Sequence, residues 1–451
     1  MLETILMLLE GKKYTNIREY LINENPADIA EILDEIQEDY MILLFRLLPK
    51  DLACEVFVEM NSERQETLIE SFSDKELVGI FDELYLDDTV DIIEEMPASV
   101  VKRILKNTDP ETRSAINELL MYPGDSAGSV MTIEFVDLKD NMTVGEALSH
   151  IKKDGINKET IYTCYVTDKE RHLSGFVTVK DMLLSENNEL VCNIMNTNPI
   201  SVTTHDDREA VSKMFEKYNF LALPVVDKED RLVGIITIDD AIEVAREEVE
   251  EDFAIMSATT PRQKPYMHSS TLSIFLSRIP WLIILMLSST FTGMIISSYE
   301  SALSSCVILT TFIPMLMGTA GNSASQSSVT IIRELALDEI GYSDIFKVIF
   351  KELRVAFFCG LSLSIANFIK MCLVDRMLFA NADVTMTICF VVSLTVFIAI
   401  VFAKFVGTLL PFVAKRVGFD PAVMASPFIT TIVDALSLVV FFNIATKFLP
   451  I

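Results

Sequence analysis

Charge is nearly absent from the last part of this chain. Residues 261–451 hold only 13 Lys and Arg and 10 Asp and Glu, and the stretches 279–299, 301–332 and 384–403 hold none. A soluble domain cannot be surfaced with such runs, whereas a helix crossing hydrocarbon needs ~20 apolar residues. Thiols and imidazoles are scarce too. The seven cysteines show no CxxC spacing, which excludes a zinc ribbon or a dithiol redox motif. The four histidines (150, 172, 205 and 268) all lie outside the apolar runs, which argues against a path built from soft-metal ligands. There is no Walker A loop, no HExxH and no nucleophile–base pairing, so neither an enzyme nor an ATP-driven pump is indicated. The opening MLETILMLLE has an acid at its third position and no basic stretch, so it is no secretory signal.

What is present falls into two halves. Residues 1–260 carry 24 Lys and Arg against 55 Asp and Glu, a composition suited to water and hostile to nucleic acid. Behind them, five spans are expected at about 274–299, 302–332, 350–374, 384–413 and 422–448, within a membrane domain of residues 271–451. Basic residues Arg333, Lys347, Lys351 and Arg354 follow the second span, and Lys415 and Arg416 follow the fourth. By the positive-inside rule the acidic front and the N-terminus are cytoplasmic, the C-terminus is outside, and the chain sits in the cell membrane. The cysteines of a cytoplasmic front stay reduced.

Residues 1–125 read as an all-α domain. Short amphipathic segments such as SERQETLIESF, DKELVGIFDEL and DDTVDIIEEM recur about every 12 residues, each with a Ser, Asp or Pro near its start. Such helices bury a core only by stacking into a superhelix. Residues 126–250 contain a repeat: YVTDKERHLSGFVTVKDML from Tyr165 returns as PVVDKEDRLVGIITIDDAI from Pro224. Gly175, Thr178 and Asp181 match Gly234, Thr237 and Asp240. Each unit (126–189 and 190–250) reads as strand, turn, strand and helix, an α+β arrangement. The pattern resembles a tandem CBS pair. Such pairs often bind ATP or another adenine nucleotide, which by resemblance points to Asp181 or Asp240; a pair that only dimerises is the alternative.

A helix at 239–260 leads to the membrane. Asp240, Glu243, Glu247 and Glu250 share one face, and like charges at that spacing repel. With YLDDTVD and THDDRE elsewhere in the front, these oxygen-only clusters suit Mg²⁺ or Ca²⁺.

Two membrane segments carry polar chemistry. In PMLMGTAGNSASQSSVTII, Gly318, Asn322 and Gln326 fall on one helical face, and Pro314 is placed to kink the helix. In SPFITTIVDALSLVVFF, Asp434 is the lone carboxylate, with Thr430, Thr431 and Ser437 on its face. A mid-bilayer carboxylate generally faces water or a bundle interior and marks an ion path. Lys404, read as the end of the fourth span, is no partner for it. One carboxylate suits Mg²⁺, which keeps most of its waters, and a two-fold dimer would bring two copies of Asp434 to the axis.

Together, the acidic helical front, the CBS pair, the acidic connecting helix and five spans resemble an MgtE-type magnesium channel. YPGDSAGSVMT, PMLMGTAGNSASQSSVTIIR and FDPAVMASPFITTIVDALSL carry the resemblance most specifically. It implies a homodimeric Mg²⁺ pore with its carboxylate at Asp434 and the 239–260 helix as a plug. It also implies Mg²⁺-sensing acids at Glu55, Asp87, Asp91, Asp207 and Glu209, and at Asp240, Glu243, Glu248, Glu251 and Asp252. The sequence departs from the family's usual pattern at Ala320, Ser325, Ser426 and Asn219. The other readings are a transporter of Co²⁺ or Mn²⁺ and a membrane-anchored nucleotide sensor without transport.

Overall fold

The computed structural model describes residues 2–261, 266, 269–337, 339–379 and 383–449. Residues 262–265, 267 and 268 of the linker before the first span, and with them His268, lie outside the described residues, as does the side chain of Ser426. The chain forms two compact units, residues 1–246 and 247–451.

The first unit begins with ten short helices, from Leu2–Glu10 to Pro110–Leu119. Their starts follow from sequence. Asn25 and Asp109 accept from backbone N–H groups of the first turn with a proline just inside the helix, and Ser73 with Glu76 forms a capping box. Phe45, Phe57 and Phe72 meet pairwise at 5.6 to 6.3 Å between ring centroids. The core these helices build continues without a break into Met131, Val202 and Leu223 of the segment that follows.

That segment holds two three-stranded sheets, β1 (Phe135–Lys139), β2 (Thr160–Thr167) and β3 (Leu173–Thr178), then β4 (Val202–Thr203), β5 (Ala222–Val226) and β6 (Leu232–Thr237). In each, the first pair is parallel and the second antiparallel. The sequence repeat is a repeat of register: Thr163 pairs with Thr178 as Ala222 pairs with Thr237. The two halves also exchange strands. Thr132, entering the first, bonds both ways with Ile235 at 2.8 and 2.9 Å, and Asn196, entering the second, does so with Phe176 at 2.9 and 3.1 Å. The matched glycines lie where these strands cross. A Cβ on Gly175 would stand 2.5 Å from the Asn196 carbonyl oxygen, and one on Gly234 2.9 Å from that of Thr132.

The connecting helix, Ile238–Met256, buries Ala241 and Val244 in the first unit. In the second unit its end packs Ile255 and Met256 against Ile332, Ala422 and Ala425.

Five helices of the second unit are long and apolar enough to cross a membrane. Span 1 is Thr271–Ser298, span 2 Ile313–Ala336, span 3 Ile345–Lys370 continued as a π-helix to Leu378, span 4 Met386–Val417 and span 5 Ser426–Phe448. Two expectations change. Residues 300–312 form a short helix and a 3₁₀ turn ahead of span 2, so Pro314 sits in the helix's first turn and starts it rather than kinking it. Lys404 is not at the end of span 4: the helix runs on to Val417, and Lys404 lies inside it with 5% exposure.

Spans 2 and 4 approach through small residues. A Cβ on Gly407 would stand 2.5 Å from the Ala324 carbonyl oxygen, so any side chain there forces the helices apart. Gly407→Val is expected to destabilise the membrane domain by about 1–3 kcal/mol, the usual cost of overpacking. Thermal unfolding in detergent measures this. Gly318→Ala is the control, since a Cβ there meets nothing within 4 Å.

Candidate functional site

Asp434 sits near the middle of span 5, half-buried. Among the described residues no side chain bonds or pairs with its carboxylate. It lies against span 2 at Gly321, where a Cβ would stand 3.5 Å from Asp434 Oδ1 and 3.2 Å from Thr430 Cγ2.

The other polar residues of span 5 are held by their own helix. Thr430 and Thr431 donate to the Pro427 carbonyl at 3.0 and 3.1 Å. Ser437 donates to the Val433 carbonyl at 2.6 Å and is 2% exposed. Thus Ser437 faces packing, while among the described residues the Asp434 carboxylate has no bonding partner within the chain. Beside it, on span 2, Gly318, Asn322 and Gln326 are all exposed and form an open polar strip. Three of that helix's four serines, Ser323, Ser327 and Ser328, are buried instead.

The acids of the first unit gather around the Leu86–Glu95 helix. Asp87 is 7% exposed, and burial with neighbouring Asp88 holds its carboxyl well above the usual range. Burial, then the charges of Asp240, Asp239 and Glu243, pushes Asp88 up to about 7. Burial, then Asp240 and Asp87, pushes Asp91 to about 8. Asp240 is raised by burial and by Asp87. Glu159 reaches about 9 through burial, Asp87 and Asp88, and its Oε2 is buried without a partner. Glu134 joins by capping that same helix, accepting from the Leu86 N–H at 2.9 Å. The carboxylates thus crowd together, and the charges that act on Asp88, Asp91 and Glu159 are those of other acids. Among the described residues no three of them converge as a ready-made metal cage.

Not every expected acid is part of this cluster. Glu55 is exposed on its helix. Asp207 caps the Arg208–Tyr218 helix, and Glu209 pairs with Lys213 at 2.7 Å. Glu248, Glu251 and Asp252 belong to the second unit. Glu134, Glu159 and Asp239 are additions that the sequence does not single out. The parallel pairing of β1 with β2 explains the first two: Phe135 faces Thr160, so the acids just before these strands meet, with the Glu159 N–H donating to the Glu134 carbonyl at 2.9 Å.

Asp181 and Asp240 take equivalent positions in the two halves. Each accepts from the threonine three residues earlier, Thr178 or Thr237, at 2.5 Å.

Comparison with known proteins gives the same organisation. Residues 24–125 match the MgtE intracellular N domain, 127–186 and 191–247 match CBS domains, and 313–444 match the divalent cation transporter MgtE. The magnesium transporter MgtE of Thermus thermophilus is 33% identical over 433 residues, 95% of this chain and 94% of that protein. The protein of that name from Bacillus subtilis is 31% identical over 99% of this chain and 96% of its own length. Among solved structures, the cytosolic domain of the Mg²⁺ channel MgtE in complex with ATP aligns with a TM-score of 0.52 at 33% identity, covering 54% of this chain and 100% of that one. This multi-pass membrane protein, with a helical domain and a CBS pair ahead of five apolar helices, belongs to the MgtE family of divalent cation transporters.

Proposed function

We propose that this protein conducts Mg²⁺ across the cell membrane, with the acidic front in the cytoplasm and the C-terminus outside, and that cytosolic Mg²⁺ closes it. The observation that carries the reading is Asp434: an unpaired, half-buried carboxylate beside the open strip of Gly318, Asn322 and Gln326. Neither feature is tolerable against lipid. A second copy of the chain, related by a two-fold axis, covers both and makes a water-filled path with two carboxylates. Mg²⁺ gives up its waters reluctantly, and Asp434 holds the ion through them. Asn322 and Gln326 line the approach, while Thr430 and Thr431 shape it. Transport by the named relatives supports Mg²⁺ over Co²⁺ or Mn²⁺ as cargo. Mg²⁺ uptake by a transport-deficient cell, wild type against Asp434→Asn, tests this, and equal uptake by the two overturns it.

For gating, Mg²⁺ bridges the carboxylates of Asp87, Asp91, Asp240 and Glu243 through retained waters and favours the compact, closed state. The connecting helix carries that state to the membrane, where Ile255 and Met256 already pack against the cluster of Ile332, Ala422 and Ala425. Glu55, Asp207, Glu209, Glu248, Glu251 and Asp252 complete the sensing set in other arrangements of the chain. ATP or another adenine nucleotide binds the CBS pair at Asp181 or Asp240, as the ATP-bound relative suggests.

The raised carboxyls add a signature. Folded values of about 7 for Asp88 and about 8 for Asp91 exceed those of the unfolded chain, so without metal the compact state is strongest at low pH and weakens as pH rises through 7 to 8. Mg²⁺ replaces those protons. Its binding at pH 7 should release about one proton or more per chain. Calorimetry in buffers of different ionisation enthalpy reads this number, and release unchanged in Asp88→Asn/Asp91→Asn would count against the cluster.

A further inference from the structure

We infer that Lys404 is a positioning residue for ion passage, acting through span 2. The inference rests on the Mg²⁺-conduction reading. Lys404 is a buried charge inside span 4, far from either end of a 32-residue helix. Its Nζ donates to Ser327 Oγ of span 2 at 3.1 Å and lies 3.8 Å from Glu352 Oε2 of span 3. Ser327 in turn donates to the same Glu352 oxygen at 2.8 Å. Three spans therefore meet in one charged knot.

Its place along span 2 gives it a role. The next residue, Ser328, donates to the Met424 carbonyl at 2.6 Å and so grips the segment that leads into span 5. Toward one end lies Ile332, part of the cluster with Ala422 and Ala425 against which Ile255 and Met256 of the connecting helix pack. Toward the other lies Gly321, against Asp434. Ser327 is six residues from Gly321, ~9 Å along the helix axis at 1.5 Å per residue. The knot thus fixes the register of span 2 between the contact with the connecting helix and the carboxylate of the path. Buried ion pairs are seldom the most stable way to fill such a space, but they tolerate few other arrangements, since a slipped helix strands a charge in a dry interior.

The test is Mg²⁺ flux into proteoliposomes holding the full-length protein, measured over a range of Mg²⁺ concentrations. Lys404→Met and Glu352→Gln each break the pair, and each should lower maximal flux about tenfold or more. The half-saturating Mg²⁺ concentration stays put, because Asp434 is untouched. The exchange Lys404→Glu/Glu352→Lys should recover roughly half or more of wild-type maximal flux. If Lys404→Met fails to assemble, Ser327→Ala, which keeps both charges and removes the bridge, should lower maximal flux in the same way. Single variants with wild-type flux, an exchange variant no better than the singles, or a shift confined to half-saturation would overturn the inference. Absence of flux through the wild type would sink the conduction reading and this inference with it.

Discussion

Asp434→Ala is expected to abolish Mg²⁺ flux into proteoliposomes while making the folded protein no less stable. The two halves of this result have one cause. An ionised carboxylate near the bilayer centre costs on the order of 2.5–3.5 kcal/mol. No partner within the chain offsets that: among the described residues no donor or cation reaches Asp434, and Thr430, Thr431 and Ser437 all turn back to carbonyls of their own helix. A structural carboxylate would have a partner, and its removal would lower the melting temperature. Alanine at 434 instead removes an uncompensated charge, and the Gly321 contact leaves only a small gap. What is lost is the only acid in span 5 able to replace part of an ion's outer hydration. Flux in the variant should therefore match that of empty liposomes, with thermal unfolding at or above the wild-type temperature. A variant that melts early and conducts in proportion to its folded fraction would show that Asp434 is a structural group.

Most of the architecture is legible in the chain, and the reasons differ by element. The CBS halves are legible because a repeated G-h-h-T-h-x-D ending is a repeated register, as the pairings Thr163–Thr178 and Ala222–Thr237 show. Why those endings need glycine is not legible, since the strand crossing each one comes from the other half. Asp434 is legible because a single charge in an apolar run has few uses. Lys404 is misplaced by sequence because the apolar run stops at Ala403 while the helix does not; the Ser327 hydroxyl and the Glu352 carboxylate, on two other spans, make a lysine tolerable there. Glu134 and Glu159 give no sequence signal because they are 25 residues apart and meet only through the parallel pairing of β1 and β2. Sequence reports acids that share a helix face, such as Asp87 and Asp91, and is silent about acids that a sheet brings together.

That gathering sets the second large effect. Asp87→Asn/Asp91→Asn/Glu248→Gln is expected to keep conducting at cytosolic Mg²⁺ levels that silence the wild type, with half-inhibition moved up on the order of 100-fold. Two forces compete in the cluster. Carboxylate repulsion opens the compact state, and Mg²⁺ bridging closes it. Neutral amides weaken both, so the sign depends on which is stronger near pH 7. Asp88 and Asp91, with values of about 7 and about 8, already carry protons for much of the time at that pH, so repulsion is partly relieved before any metal arrives. Bridging therefore dominates, and an amide oxygen is a poor substitute for a carboxylate in holding Mg²⁺ and its waters. A ligand shifts gating only by its preference for one state, and the triple variant has lost most of that preference. Flux traced against Mg²⁺ on the cytosolic face decides the matter. Unchanged inhibition would remove these acids from the sensor. A variant closed at every Mg²⁺ concentration would show that repulsion outweighs bridging and is what opens the wild-type channel.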